Sequence, residues 1–254
     1  MLASEYRRLA EAEAGMWWFT TLHADLLATI ARHFGQDKGI RILDAGCGTG
    51  GFLRHALACG YTNCKGLDVS HLAVAYCSQQ GLVAEQGSIA DAAALARQGR
   101  ADVIVSIDVI CSLPDEQSRI GFLRGACDLL NDGGLLIVQT PALRCLAGIH
   151  DLAVGVNTRY TRTGLRALLS QAGIAGGELR YRLFLLAPLV LLMRTFQRAR
   201  LRYRSAVSIE SDVKMPPALV NSLLFRVQGL EDRWLRFRPF GASLQIMIRK
   251  GQHA

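Results

Sequence analysis

The sequence has no run of about 20 consecutive apolar residues, the length that a helix needs to span a membrane. Its first residues, 1–8, contain no apolar core of the kind that marks a secretory signal peptide. Both absences predict a cytoplasmic protein. Half of the 254 residues are hydrophobic, which is enough to bury the core of one large α/β domain or of one domain with an insertion.

The seven cysteines include no Cys-x-x-Cys pair and are odd in number. Most of them lie in apolar segments, which argues against a disulfide framework and against a zinc site, and favours small buried side chains in a reducing compartment. Cys47 alone lies in a candidate ligand loop. There, a small residue that fits a tight turn is a better interpretation than a nucleophile.

Acidic residues are scarce in one part of the chain. Between Arg159 and Arg204 the sequence has ten arginines and one acid, Glu178, so this segment has a net charge of +9. The whole chain has a net charge of +8, so the remainder is near neutral. The positive charge therefore belongs to the C-terminal half.

The most informative stretch covers residues 40–51. Its apolar start, residues 40–43, predicts a short buried strand, and residues 52–58 repeat apolar side chains at helical spacing. Four glycines lie between the two and leave no side chains between a ligand and the backbone of the turn. A glycine turn between a strand and a helix is where an open α/β sheet binds a nucleotide-like ligand.

The spacing of Gly46, Gly48 and Gly51 fits the dinucleotide fingerprint G-x-G-x-x-G, so glycines alone leave an NAD(P)-dependent oxidoreductase open. Asp44 discriminates between ligands, because a carboxylate just before the turn repels a pyrophosphate and attracts the ammonium and sulfonium of S-adenosylmethionine. Asp68, about 20 residues further on, can accept hydrogen bonds from both ribose hydroxyls. The two acids favour S-adenosylmethionine.

Three motifs carry a resemblance to a known family. They are Asp44-Ala-Gly-Cys-Gly-Thr-Gly, Gly66-Leu-Asp-Val-Ser, and Asp102-Val-Ile-Val-Ser-Ile-Asp-Val-Ile followed by Leu113-Pro-Asp. Over residues 40–140 the chain resembles the class I S-adenosylmethionine-dependent methyltransferases, in their small-molecule type 11/12-like group. The alternating strands and helices predict a doubly wound parallel sheet. The resemblance adds two further strands, one of them antiparallel, and so implies a mostly parallel seven-stranded sheet of the Rossmann-like methyltransferase fold. The residues of this chain add a helical insertion before the last strand.

The resemblance also implies which residues contact the cofactor. They are Asp44, Gly46, Gly48, Gly50, Asp68, Val69, Ser88, Ile89, Ile107 and Asp108. In the family a polar residue, often aspartate, contacts the adenine at the position of Ser88, and Asp91 is the fallback in this chain.

Two other chemistries are not expected. Metal-dependent O-methyltransferases of the quinone-synthesis type carry Glu-x-x-Glu-His after the fourth strand, where this chain reads Asp108-Val-Ile-Cys-Ser and keeps only the first acid, so no metal is predicted. Enzymes that methylate nucleic-acid bases place an Asn/Asp-Pro-Pro-aromatic turn at the same strand end. This chain has Ser106-Ile-Asp-Val there, so no nucleic-acid partner is predicted.

The sequence divides into three segments. Residues 1–35 are predicted to be an N-terminal helical lid, residues 36–180 the S-adenosylmethionine-binding core, and residues 181–254 the last strands with an apolar and basic helical insertion, all in one domain. Trp17, Trp18 and Phe19 either cover the ligand pocket or fasten a helix to the sheet.

An irregular loop is predicted at residues 142–158, after the fifth strand and on the acceptor side. His150 and Tyr160 are the predicted catalytic residues, since histidine titrates near neutrality and can take a proton from a hydroxyl or an amine. Asp151 would help to hold the loop. The alternative interpretation makes His150 a loop residue bonded to the backbone and Tyr160 a ring in the core.

The insertion begins with eleven uncharged residues from Leu183 to Met193 and continues through five arginines to Arg204. This pattern is typical of a helix at a membrane surface, with arginines on anionic headgroups, so Leu183 to Arg204 is a predicted membrane contact. The alternative is a strand and a buried helix with a solvated arginine edge. A second helix at residues 218–234 would form the other wall of an apolar pocket.

Two strands are predicted on either side of this insertion, the sixth at residues 178–186 and the seventh at residues 243–249. Ser70 is placed to cap the helix that follows the second strand, and Thr161 or Thr163 to cap the helix before the sixth.

The leading functional hypothesis is methyl transfer from S-adenosylmethionine to an apolar small molecule or a lipid-like acceptor. The sulfonium is already a strong electrophile, so the protein mainly has to align the acceptor and exclude water, and no catalytic triad is needed. The alternatives are an NAD(P)-dependent oxidoreductase and a cofactor-binding protein that transfers no methyl group. The predicted location is cytoplasmic, with association to membranes as a second prediction.

Overall fold

One seven-stranded sheet organises the computed structural model, which describes residues 3–202 and 215–251. Its strands are β1 Arg41–Ala45, β2 Asn63–Asp68, β3 Ala84–Gln86, β4 Ala101–Ile107, β5 Leu130–Pro141, β6 Glu178–Arg182 and β7 Ser243–Arg249. They lie in the order β3-β2-β1-β4-β5-β7-β6. All neighbours are parallel except for the two pairs that include β7. The predicted mostly parallel, doubly wound sheet is confirmed.

Helices cover both faces of the sheet. They are α1 Ala3–Glu13, α2 Trp17–Phe34, α3 Gly51–Ala58, α4 His71–Gln79, α5 Ala92–Ala96, α6 Glu116–Leu129, α7 Ile149–Val154, α8 Arg162–Gln171, α9 Ala187–Arg202 and α10 Ala218–Trp234. Side-chain caps begin several of them: Ser70 accepts a hydrogen bond at the start of α4, Asp115 at the start of α6 and Thr161 at the start of α8. The predicted caps at Ser70 and Thr161 are confirmed.

The core has two layers because the sheet is buried on both faces. In β5, Leu135 and Ile137 pack on the side of α2, whereas Leu136 and Val138 pack on the side of α6 and α8. This alternation places apolar side chains on both faces, so the strand reads as one continuous apolar run. The sheet is therefore a rigid base, and its carboxyl-terminal edge is free to hold a ligand.

The last part of the chain differs from the sequence prediction at two places. The sixth strand ends at Arg182 and not at residue 186, since Leu183 has a positive φ of 61°, which breaks the extended conformation. The loop at residues 142–158 was predicted to be irregular, and that prediction is wrong in part. It contains a 3₁₀ turn at Arg144–Leu146 and the short helix α7.

Part of the arginine-rich segment is buried and not on the surface. Arg182 is 1% exposed, and its guanidinium lies 2.8 Å from the carboxylate of Asp232. Arg180 binds Asp25 at 2.6 Å. The net charge of the segment therefore overstates its free positive charge, because α2 and α10 supply acids that a count along residues 159–204 does not include. Within the described residues, no helix is both long and apolar enough to cross a membrane.

Candidate active site

A cavity of about 500 Å³ opens at the carboxyl ends of β1, β2 and β4. Among the predicted cofactor residues, it is lined by Asp44, Gly46, Gly48, Asp68, Val69, Ile107 and Asp108. The N-terminal helices and the start of α9 supply the opposite walls. The sheet topology thus brings together residues that are far apart in sequence, at the edge where open α/β sheets bind ligands.

The glycine loop needs its glycines for conformation and for space. Gly46 has a φ of +94°, and a Cβ added to it would lie 2.2 Å from a methyl group of Val109. Its N–H donates to the carbonyl of Leu67 at 2.7 Å, which ties the loop to β2. Gly50 has a φ of +80° and is the N-cap of α3, but it is not among the residues that line the cavity. A side chain at either position would move the loop.

Asp68 ends β2 and holds the loop through both carboxylate oxygens. One oxygen accepts a hydrogen bond from the Gly48 N–H at 2.9 Å, and the other accepts one from the Ser70 N–H at 2.9 Å. Burial raises the pKa of Asp68, while the two donors oppose that rise. Each oxygen keeps a second lone pair, so the carboxylate can still accept from a ligand.

Asp44 is 2% exposed at the end of β1. Its Oδ1 has no hydrogen-bond partner among the described residues, an arrangement that costs free energy unless a ligand supplies a donor. Burial raises the pKa of Asp44 well above its ordinary value, and the nearby carboxylate of Glu13 raises it further. The group therefore fits a cationic ligand that would restore its charge.

Glu13 is a site residue that the sequence analysis did not identify. It ends α1, and its Oε2 accepts a hydrogen bond from the Thr49 hydroxyl at 2.5 Å and lies 3.3 Å from the guanidinium of Arg54. Burial raises its pKa to about 7, although these partners oppose the rise. Acidic residues at the ends of amphipathic helices are common and usually exposed to solvent. No pattern in the sequence near Glu13 therefore marks it as a site residue.

Asp108 follows β4 directly and lines the cavity. Its φ is 55°, and its N–H donates to the carbonyl of Gln139 at 2.9 Å, which fixes the residue against β5. Its Oδ1 is buried without a hydrogen-bond partner in the part of the chain that the structure describes. Burial raises its pKa to about 7, and Arg159 opposes that rise. A carboxyl group with such a pKa can give or take a proton near neutrality.

Aromatic residues of the N-terminal helices form another wall. Trp17, Trp18 and Phe19 line the cavity, and the rings of Trp18 and Phe19 meet edge to face with centroids 4.6 Å apart. His23 lies behind them against Phe52, with ring centroids 5.8 Å apart. Burial lowers the pKa of His23 to about 3, so its imidazole is neutral. Aromatic side chains of α2 thus form an apolar part of the cavity lining.

The structure does not bring every predicted site residue to the cavity. The Ser88 hydroxyl accepts a hydrogen bond from the Ala90 N–H at 3.1 Å, and Ile89 is buried in the core. Tyr160 is also a core residue, and burial raises the pKa of its phenol to about 12. His150 lies on α7, but its side chain falls outside the described part of the structure. No group of three or more possible metal ligands occurs among the described residues.

Comparisons with known proteins agree with this arrangement. A family model described as a methyltransferase domain matches residues 18–177. The ubiquinone biosynthesis O-methyltransferase of Azorhizobium caulinodans is 34% identical over 126 residues, which cover 44% of this chain and 47% of that protein. The protein of the same name from a Chelativorans species is 32% identical over 163 residues, which cover 54% of this chain and 62% of that protein. The chain thus matches less than two thirds of the length of either relative.

Structural comparison supports the same fold. A SAM-dependent methyltransferase from Archaeoglobus fulgidus superposes with a TM-score of 0.55 at 16% identity, over 90% of this chain and 93% of that one. The comparisons do not favour the NAD(P)-dependent alternative. Since the family model covers well over half of the chain and the sheet has the matching architecture, the chain belongs to the methyltransferase domain family and has the fold of the class I S-adenosylmethionine-dependent methyltransferases.

Proposed function

We propose that the protein methylates a hydroxyl group on an apolar, lipid-like acceptor. The observation that carries the proposal is the cavity itself, in which acids at the strand ends face a wall of aromatic and aliphatic side chains. The bound cofactor supplies an electrophilic methyl group. The Oδ1 of Asp44, which has no hydrogen-bond partner among the described residues, would fit the cationic end of the cofactor. Gly46, which has no side chain, would let the cofactor approach the backbone of the turn closely.

The predicted cofactor residues would act in two ways, by direct contact with the cofactor or through the shape of the loop that carries them. Asp68 would accept hydrogen bonds from the ribose hydroxyls, and Val69 and Ile107 would contact the adenosine and the methionine chain from the cavity lining. Gly50, Ser88 and Ile89 would act through the shape of the loops that carry them. None of the three is among the residues that line the cavity, so this part in binding would be indirect.

The acceptor end combines apolar walls with a few polar groups. Val154, Val156, Leu183 and Val190 contribute aliphatic side chains to the cavity lining. Such walls favour an apolar acceptor because they exclude water from the reacting atoms. The relatives named ubiquinone biosynthesis O-methyltransferases support an oxygen as the acceptor atom.

A hydroxyl acceptor must lose its proton as the methyl group is transferred. Asp108 is one candidate base, since its Oδ1 is buried at the cavity without a partner among the described residues. His150 is the other, on the strength of its place in the acceptor segment. Tyr160 remains a predicted catalytic residue of lower rank, because its ring lies in the core.

The insertion would bring the protein to its acceptor. Val190 and Arg194 of α9 line the cavity, while Leu189, Leu192 and Phe196 on the same helix are exposed. Helix α10 exposes further apolar side chains, Leu219 and Leu223 among them. We call these five exposed residues the apolar surface. Together with the arginines that follow in the sequence, they support docking to an anionic membrane from which a lipid would enter the cavity.

The experiment is methyl transfer from radiolabelled S-adenosylmethionine to an extract of anionic lipids and quinols, compared with a water-soluble metabolite extract. The proposal expects label in a lipid-extractable product that resists alkaline hydrolysis and releases methyl iodide on ether cleavage with hydroiodic acid. Label confined to the water-soluble fraction, or a carbon-bound methyl group, would contradict it.

A further inference from the structure

Glu13 connects the N-terminal helix to the glycine loop. Its side chain is 8% exposed, with the carboxylate on Thr49 and Arg54. The contact with the loop is so close that a Cβ added to Gly51 would lie 2.4 Å from the Cδ of Glu13. Glu13 also lines the cavity. One carboxylate of α1 therefore belongs to the same space as the acids of the sheet edge.

Asp44 provides an independent observation beside it. More than nine tenths of the residue is buried, it lines the cavity, and its Oδ1 has no donor among the described residues. The carboxylate of Glu13, which lines the same cavity, disfavours the charged form of Asp44. Arg54 compensates part of the charge of Glu13 but does not contact Asp44 in any described hydrogen bond. A cationic group bound beside Asp44 would therefore compensate a carboxylate that has no cationic partner in any described hydrogen bond.

We propose that Glu13 and Asp44 jointly bind the α-ammonium group of S-adenosylmethionine, so that α1 is part of the cofactor site and is held in place by the bound cofactor. The inference rests on the cofactor that the family uses and not on the identity of the acceptor. Asp68 lies at the next strand end, toward the ribose, which leaves the floor beside Asp44 for the amino-acid end.

Another arrangement would give the opposite result. Glu13 lies at the start of α3, and the N-terminus of a helix attracts any carboxylate, including that of the cofactor. If Glu13 occupies the place of the cofactor carboxylate, it must leave when the cofactor binds. Removing its charge would then strengthen binding. The two arrangements therefore differ in the sign of a measurable effect.

The test is calorimetric binding of three ligands to Glu13→Gln. S-adenosylmethionine and S-adenosylhomocysteine both carry the ammonium, whereas 5′-methylthioadenosine lacks the whole amino-acid end. We expect Glu13→Gln to weaken the first two about tenfold, as expected for the loss of a charged hydrogen-bond partner, and to change 5′-methylthioadenosine by less than about twofold. Glu11→Gln is the matched control, since Glu11 is an exposed acid of the same helix.

Two outcomes would overturn the proposal. Equal weakening of all three ligands would make Glu13 a structural support of the loop, and tighter binding of S-adenosylmethionine would place it on the carboxylate position. Hydrogen exchange adds a readout of the helix. S-adenosylmethionine should protect the amides of α1 in the wild-type protein, and 5′-methylthioadenosine should not. Equal protection by both would also count against the proposal.

A wild-type measurement covers the case in which Glu13→Gln does not fold. The groups that face Glu13 are Arg54 of α3, Asp44 of β1 and the thiol of Cys77 on α4. Between pH 6 and 7.5 the affinity for S-adenosylmethionine should rise, because the carboxyl group of Glu13, whose pKa burial raises to about 7, loses its proton while the ligand stays largely cationic. The affinity for 5′-methylthioadenosine should stay constant, and parallel curves would refute the inference. A missing lipid acceptor would alter none of these binding constants, so the two proposals fail separately.

Discussion

The guanidinium of Arg159 binds the carboxylate of Asp151 through two hydrogen bonds, of 2.6 and 2.8 Å, on the wall of the cavity. A third hydrogen bond of 2.9 Å runs from Arg159 to the carbonyl of Ala142. The pair therefore ties α7 to the end of β5. Planar two-point binding of this kind fixes orientation as well as position.

Arg159→Leu should destabilise the fold by about 3 kcal/mol, since it leaves the buried carboxylate of Asp151 without its partner. Urea unfolding with Arg166→Leu as the control would measure this, because Arg166 is an exposed arginine of α8. Arg159→Lys should keep most of the free energy of unfolding but lose the paired hydrogen bonds to Asp151. Its turnover should therefore fall although the variant remains folded. Equal unfolding midpoints for the two leucine variants would show that the pair adds nothing.

Asp68→Ala should weaken S-adenosylmethionine by about 1 to 3 kcal/mol, the usual contribution of hydrogen bonds to a charged group. The loss should be shared by 5′-methylthioadenosine, because both ligands carry the ribose. Part of the loss comes from the loop, since Asp68 also holds the N–H groups of Gly48 and Ser70. Unchanged affinity for both ligands in a folded variant would remove Asp68 from the site.

Asp108→Asn and His150→Ala distinguish the two candidate bases. Replacing the residue that acts as the base should lower turnover about 100-fold and leave the affinity for the cofactor nearly unchanged. If Asp108 is the base, wild-type turnover should rise with pH through about 7, because only the deprotonated carboxylate can accept the proton. This rise of turnover with pH should be absent in Asp108→Asn. Near-normal turnover in both variants would point to an acceptor that is already ionised or to a carbon acceptor.

The sequence predicted those parts of the fold that depend on local periodicity. Helix α10 and strand β7 have the predicted bounds, 218–234 and 243–249. Asp44 and Asp68 could be placed at one edge because parallel neighbouring strands end together, and β1 and β2 pair in that way. Residues that act from the ends of strands are thus accessible to sequence reasoning.

Contacts between distant side chains were not predictable in the same way. Glu13 meets Thr49 across 36 residues of sequence, and Arg180 meets Asp25 across 155. Neither pair leaves a local pattern in the sequence, so neither was predicted. The base candidate Asp108 depends on a positive φ after β4, which the apolar strand pattern does not reveal.

The apolar surface leads to the last prediction, which concerns membranes. Leu189, Leu192 and Phe196 are between 47% and 68% exposed on α9, on the side opposite to the cavity residue Val190. The wild-type protein should bind vesicles of anionic lipid better than neutral ones, and added salt should weaken but not abolish binding, since salt screens charges over about 10 Å while apolar burial persists.

Replacing the three residues by serine should lower partitioning by at least about tenfold, because each loses part of the roughly 1.5 to 3 kcal/mol that full burial of such a side chain contributes. Val83→Ser, which changes an exposed valine beside β3 at the far edge of the sheet, should leave partitioning unchanged. A triple variant that binds vesicles as the wild type does would exclude α9 as the docking helix, and equal binding to neutral vesicles would exclude a role for the arginines.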